Sequence, residues 1–177
     1  MLIVEGPDGA GKTTLVNELA ARLQWPIMPR VVSKDTEAMV DLVKWVQDDM
    51  ELGFSPRIYD RHRLISEPIY GPVIRATLEP GFDNLGWLAG MQYQLREIQP
   101  VVIWCLPSLS RVMTNLAHDE DNRVVRDKIR QIYWLYHNAC ASWPIQCYVW
   151  DYEGSTEAEI QALVDALRKD FADVQSV

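Results

Sequence analysis

No stretch of this chain is apolar for long enough to cross a bilayer, which excludes a helical membrane protein. Cysteine is scarce. Cys105, Cys140 and Cys147 are odd in number and form no C-x-x-C pair, so they read as reduced core thiols rather than disulfides or a zinc ribbon. Excess positive charge is lacking as well. With 25 acidic against 17 basic residues the net charge is −8, which argues against gripping duplex DNA by bulk electrostatics but leaves room for a locally basic cleft. Low-complexity tracts, internal repeats and linkers are also missing, so residues 1–177 read as a single domain with one core.

What is present is concentrated at the start. Leu2-Ile3-Val4 is strand-like, and Gly6, Gly11, Lys12 and Thr13 follow with the spacing G-x-x-x-x-G-K-[ST]. Glycines let a backbone curl around an anion and aim successive N–H groups at it. A helix starting near Lys12, with Leu15, Val16, Leu19 and Leu23 at helical spacing, adds the positive end of its dipole. The spacing predicts a nucleoside triphosphate site built from Asp8, Gly9, Ala10, Gly11, Lys12, Thr13 and Thr14. In it Lys12 meets the outer phosphates and the Thr13 hydroxyl ligates magnesium. Because the N-terminal apolar residues run straight into this loop, they read as a strand and not as a secretory leader, and a cytoplasmic location is expected.

Beyond the loop the pattern alternates. Residues 27–32 read as an edge strand weakened by Pro29. Residues 35–50 read as an amphipathic helix with Met39, Leu42, Val43 and Val46 inward, closed by Gly53 and Pro56. A strand over 57–61 follows. Pro68, Gly71, Pro72 and Pro80 predict that any helix over 62–80 is broken into pieces. Helix is expected over 83–98, a buried strand over 101–105, and a helix capped by Ser108. The polar 118–122 stretch reads as a loop, then a helix over 123–141, a strand over 145–150 and a helix capped by Thr156. Strands separated by helices imply a parallel sheet wrapped on both faces.

A phosphate loop is common to many activities. Asp60-Arg61 narrows them, because a carboxylate and an arginine at the carboxyl end of a strand stand where open α/β sheets bind ligands. Asp60 could orient a magnesium-bound water or an acceptor hydroxyl, and Arg61 could hold a second anion; a surface ion pair is the structural alternative. At this point the chain resembles the thymidylate kinase-like group of P-loop nucleoside and nucleotide kinases. Gly6 to Thr14 is similar to that group's Gly-x-Asp/Glu-Gly-x-Gly-Lys-Ser/Thr-Thr loop, and Asp60-Arg61-His62 to its Asp-Arg-Tyr/His motif. Ser66 and Tyr70-Gly71 resemble the stretch that follows, one residue out of register.

The resemblance implies a five-stranded parallel sheet flanked by helices, with ATP and Mg2+ as cofactors. It implies ATP-dependent transfer to a hydroxyl or phosphate of a deoxynucleotide-type acceptor. Lys12 and Arg61 would act in the transfer, Thr13 would hold the metal, and Asp8 would bond a sugar hydroxyl of the acceptor; from its own position Asp60 could also serve the metal, and Asp60 or Asp8 could orient or deprotonate the acceptor. Asp8 is alternatively a turn former. Arg123 and Arg126, with Arg111 behind them, are candidates for a charged lid over 116–127, or else solvated helix-face charges. Tyr70, Arg75, Trp87, Gln92 and Tyr93 are candidates for the acceptor pocket, or else for packing.

Gln92 stands where the family's base-reading arginine would be, Gly71-Pro72 replaces its Gln-Gly, and Leu106-Pro107 replaces an acidic residue after the strand over 101–105. These departures point away from ordinary thymidine monophosphate. A phage-type kinase acting on 5-hydroxymethyluracil within DNA is a second reading, with Arg57, Arg61, Arg63 and Arg75 as a basic edge for the strand. A nucleotide-binding ATPase or regulator is a third. No membrane partner is expected, and a homodimer is left open.

Overall fold

The computed structural model of the chain describes residues 1–29, 42–53, 55–80, 82–117 and 123–174. Strand β1 (Leu2–Glu5) is wholly buried and runs into the glycine turn, from which α1 (Lys12–Leu23) departs. Then come α2 (Leu42–Glu51), β2 (Ile58–Asp60), α3 (Arg63–Ile74), α4 (Leu85–Glu97) and β3 (Val101–Cys105). The chain continues through α5 (Leu109–Leu116), α6 (Arg123–Ala141), β4 (Cys147–Trp150) and α7 (Glu157–Val174). The order in the sheet is β2-β1-β3-β4, all parallel. Because β1 lies between β2 and β3, connections leave it in both directions, and the crevice at its carboxyl end is the binding position of an open α/β sheet.

The described sheet has four strands, not the expected five. Around residue 27 pairing shrinks to one bridge, Ile27 to Ile58, flanked by Met28 N–H to Ile58 O (2.8 Å) and Ile58 N–H to Pro26 O (2.9 Å). Pro29 has no N–H with which to extend the ladder, and the rest of the expected strand, with residues 35–41 of the next helix, lies outside the described residues.

The helical layers follow the apolar periodicity. On α6, Ile129, Ile132, Tyr133 and Tyr136 are buried; on α7, Leu163, Val164, Leu167 and Phe171 are buried with Ile160 half-buried beside them. Helix α3 packs on α6, and α7 packs on α1 with Phe171 edge-on to Trp25 at 4.4 Å. Ser108 caps α5 by accepting the Arg111 N–H (3.3 Å). Thr156 and Glu159 form a reciprocal capping pair at α7.

One expectation fails in an informative way. Helix α3 is continuous across Pro68 and Pro72 instead of broken. A proline at 68 removes the N–H that would have bonded the Leu64 carbonyl one turn back. That carbonyl accepts instead from the Gln92 side-chain amide on α4, at 3.0 Å. The neighbouring helix supplies the donor that the proline lacks, and the turn survives.

Candidate active site

The glycine loop is held open by backbone form. Gly6 has φ +147° and Gly11 φ +77°, and a Cβ on Gly6 would collide with the Cys105 backbone carbonyl. Lys12, nearly buried, folds back so that its Nζ donates to Pro7 O at 2.7 Å. Burial and then Arg61 pull its pKa down to about 8, while Asp8 and Asp60 hold it up. The cation is thus poised over the loop on a single carbonyl that a phosphate oxygen could replace.

Thr13, on the first turn of α1, donates its hydroxyl to Asp60 Oδ2 at 2.7 Å. The other carboxylate oxygen, Asp60 Oδ1, is buried without a hydrogen-bond partner. A buried carboxylate oxygen in that state is costly unless a proton donor or cation meets it. The pair fits magnesium, which takes hard oxygen ligands from one or two side chains and keeps the rest for water and phosphate. Among the described residues no group of three or more His, Cys, Asp or Glu side chains forms a dedicated metal cage.

On the other side of the loop three side chains from distant segments converge. Arg61 adopts φ +71° at the end of β2, anchored by its N–H to Val4 O. Its guanidinium, 7% exposed, donates to Asp8 Oδ1 (2.7 Å), Tyr70 Oη (2.6 Å) and Gly6 O (3.2 Å), and lies 4.6 Å from the Tyr70 ring centroid. Tyr70 in turn donates to Asp8 Oδ2 at 2.9 Å and accepts the Asp8 N–H at 3.1 Å. Burial pushes the Asp8 carboxyl up, but Arg61, Lys12 and Tyr70 outweigh it and leave it below the usual carboxylate range.

Beneath the loop lies a residue that sequence reasoning missed. Glu5 is fully buried and accepts the His62 N–H (2.7 Å) on one oxygen and the Tyr136 hydroxyl (3.1 Å) on the other. Burial pushes its carboxyl up to about 7; the His62 N–H, Arg61, Tyr136 and Lys12 each act to lower it. Glu5 therefore ties the phosphate loop to the start of α3 and to α6. An ionisable residue inside an otherwise apolar strand was the available signal. A second missed set is Asn115, Tyr152 and Glu153. Asn115 donates to Gly9 O (2.7 Å), the Tyr152 ring packs on Gly11, and Glu153 joins Arg111 (3.0 Å) to the Ser108 cap.

The structure brings together Asp8, Lys12, Thr13, Asp60, Arg61 and Tyr70. Other predicted residues have different company. Gln92 uses its amide on the Leu64 carbonyl, in a cleft of about 200 Å³ lined by α3, α4 and Trp143. Trp87 stacks edge-on to Phe82, and Tyr93 is exposed. Arg75 pairs with the buried Glu67. Arg126 reaches Ala117 O at 3.4 Å and Arg123 is exposed; the 118–122 part of the expected lid lies outside the described residues. Within the expected basic edge, Arg57 is 2% exposed and bonded to Asp49 and Tyr59, and Arg63 faces Glu67 and Glu79.

No family model matches the sequence, and no curated protein matches it. Solved structures match over nearly its whole length. The YorR protein of Bacillus subtilis, in complex with phosphorylated GDP, is 19% identical with a TM-score of 0.70, and 95% of each chain is covered. Deoxyadenosine kinase from M. mycoides with bound dATP is 17% identical with a TM-score of 0.63, covering 94% of this chain and 98% of that one. The same enzyme with products dCMP and dCDP is 15% identical with a TM-score of 0.60, covering 95% and 98%. The chain therefore shares the fold of these proteins, a parallel sheet flanked by helices. No described helix is long and apolar enough to cross a membrane.

Proposed function

We propose that the chain is an ATP-dependent phosphotransferase of the thymidylate kinase-like kind, acting on a deoxynucleotide-type acceptor. The observation that carries this reading is the meeting of two half-sites at the strand ends. Lys12, Thr13 and the loop amides suit a triphosphate, and Asp60, Arg61, Asp8 and Tyr70 stand across from them. A regulator or simple ATPase needs only the first half.

In this reading Lys12 exchanges Pro7 O for the outer phosphates, and Thr13, with Asp60 Oδ2 beside it, would hold magnesium and leave Asp60 Oδ1 to the acceptor. When bound, the metal would supply neutralisation of the phosphate charge. Asp8 is held by two partners, whereas Asp60 Oδ1 has none, so Asp60 is the better placed to take a proton from the acceptor. Arg123 and Arg126, at the start of α6, would close over the transferring group.

The test is transfer from γ-labelled ATP, with magnesium, to deoxynucleosides, deoxynucleoside monophosphates and DNA containing 5-hydroxymethyluracil. Label in a nucleoside or nucleotide product supports the reading. Label retained on the polymer moves the assignment to the DNA-modifying kinase. Release of free phosphate with every acceptor present overturns both.

A further inference from the structure

Resting on the proposed phosphotransferase reading, the geometry points to a sharper acceptor class: a hydroxyl oxygen on an uncharged nucleoside-type group, with the phosphate of a nucleoside monophosphate turned away. The carrying observation is how charge is already paired on the acceptor side.

A phosphate acceptor brings a dianion up to the γ-phosphoryl group, which is itself anionic, so its site needs cations with N–H groups to give. Arg61 is the natural candidate, but it is nearly buried, 2.7 Å from the Asp8 carboxylate, and bonded to Tyr70 and Gly6 O. Asp8 is held in its charged form by those same contacts. The pair is therefore close to neutral as an anion receptor. Around it, the other described arginines of the β2–α3 region are each joined to a carboxylate. Arg57 faces Asp49 at 3.4 Å, Arg63 faces Glu79 at 3.5 Å, and Arg75 bonds Glu67.

The same arrangement welcomes a hydroxyl. Asp60 Oδ1 is a buried acceptor without a donor, and an incoming O–H supplies one. In the step itself the acceptor oxygen forms a bond to the γ-phosphorus and the bond from that phosphorus to the bridging oxygen breaks. ADP leaves, and the hydroxyl proton passes to Asp60. A phosphate dianion has no proton to give to Asp60 Oδ1 and finds the Arg61 guanidinium already engaged by Asp8.

The experiment compares kcat/KM for a set of deoxynucleosides with that for their 5′-monophosphates, and with a single-stranded oligonucleotide carrying 5-hydroxymethyluracil. A hydroxyl acceptor, free or in the oligonucleotide, is expected to exceed every monophosphate by about tenfold or more, the equivalent of about 1.4 kcal/mol. Formation of a nucleoside diphosphate with the higher efficiency overturns the inference and leaves the kinase reading standing. Transfer to no acceptor overturns both. Asp8→Asn, which unpairs Arg61, is expected to move the monophosphate-to-nucleoside ratio up by about tenfold. Tyr70→Phe, which keeps the ion pair and removes the phenol, moves it the same way by less. An unchanged ratio in both variants, at unchanged Tm, also overturns the inference.

Discussion

The two sides of the crevice are built on opposite principles. The donor side is made of backbone: glycines at positive φ, the first amides of α1, and one lysine resting on one carbonyl. The acceptor side is made of side chains that already hold one another, with Asp8, Arg61 and Tyr70 mutually bonded. The first is a general anion cradle, open to any triphosphate. The second is preorganised and selective, because an entering group must fit what that triangle leaves free. Generality and specificity are thus divided between the two sides, and substitutions on each should fail differently.

The largest effect is expected on the donor side. Lys12→Ala removes the lysine cation of the cradle, and phosphoryl transfer should fall by about 10³-fold. ATP affinity, read by titration with a fluorescent ATP analogue, should weaken as well. Full activity in this variant would sink the donor-side account. Asp60→Asn acts where the two sides meet. The amide keeps a contact with Thr13 but cannot take a proton, so turnover should drop by about 10²-fold while ATP still binds. Retained turnover would move the proton-accepting role to Asp8.

The contrast also explains what the sequence made legible. A phosphate loop works through residues that are neighbours in the chain, so its spacing is its chemistry, and Gly6 to Thr14 could be read directly. The order of helices and strands was legible for the same reason, since α6 and α7 carry their buried faces as periodicity. The acceptor triangle joins residues 53 and 62 positions apart, and Glu5 meets Tyr136 across 131. No local pattern announces such pairings. Asp60-Arg61 was visible, but not that Arg61 is already engaged by Asp8. The continuity of α3 through Pro68 was illegible because its remedy, Gln92, lies on another helix.

A third effect sits beneath both sides. Burial raises the Glu5 carboxyl from its ordinary 4.5 to about 7, so the folded chain keeps a proton that the unfolded chain has released. Stability from this group is full below about pH 4.5 and is lost as pH rises through about 7. The groups facing it are Arg61, Lys12, the His62 N–H and the Tyr136 hydroxyl, so the loss is coupled to the site's own charges. Glu5→Gln keeps an acceptor for the His62 N–H and does not ionise. It should flatten the fall in unfolding free energy between pH 5 and pH 8, by an amount on the order of a few kcal/mol. An equally steep fall in the variant would remove Glu5 from the pH response.

The smallest effect separates scaffold from site. If Gln92 reads the acceptor base, as its position in α4 suggested from sequence, Gln92→Leu should raise KM for the acceptor and leave stability alone. Its side-chain amide instead bonds the carbonyl that Pro68 leaves unpaired on α3. Removing the amide exposes that carbonyl's lost bond, at a cost of about 1 kcal/mol, partly relieved by water entering the adjoining cleft. The expected result is a Tm lower by about 2–4 °C with acceptor KM unchanged. Because α3 also carries Tyr70, a variant that both raised KM and kept its Tm would return Gln92 to the acceptor pocket. A fall in Tm alone would leave the acceptor side to Asp8, Asp60, Arg61 and Tyr70.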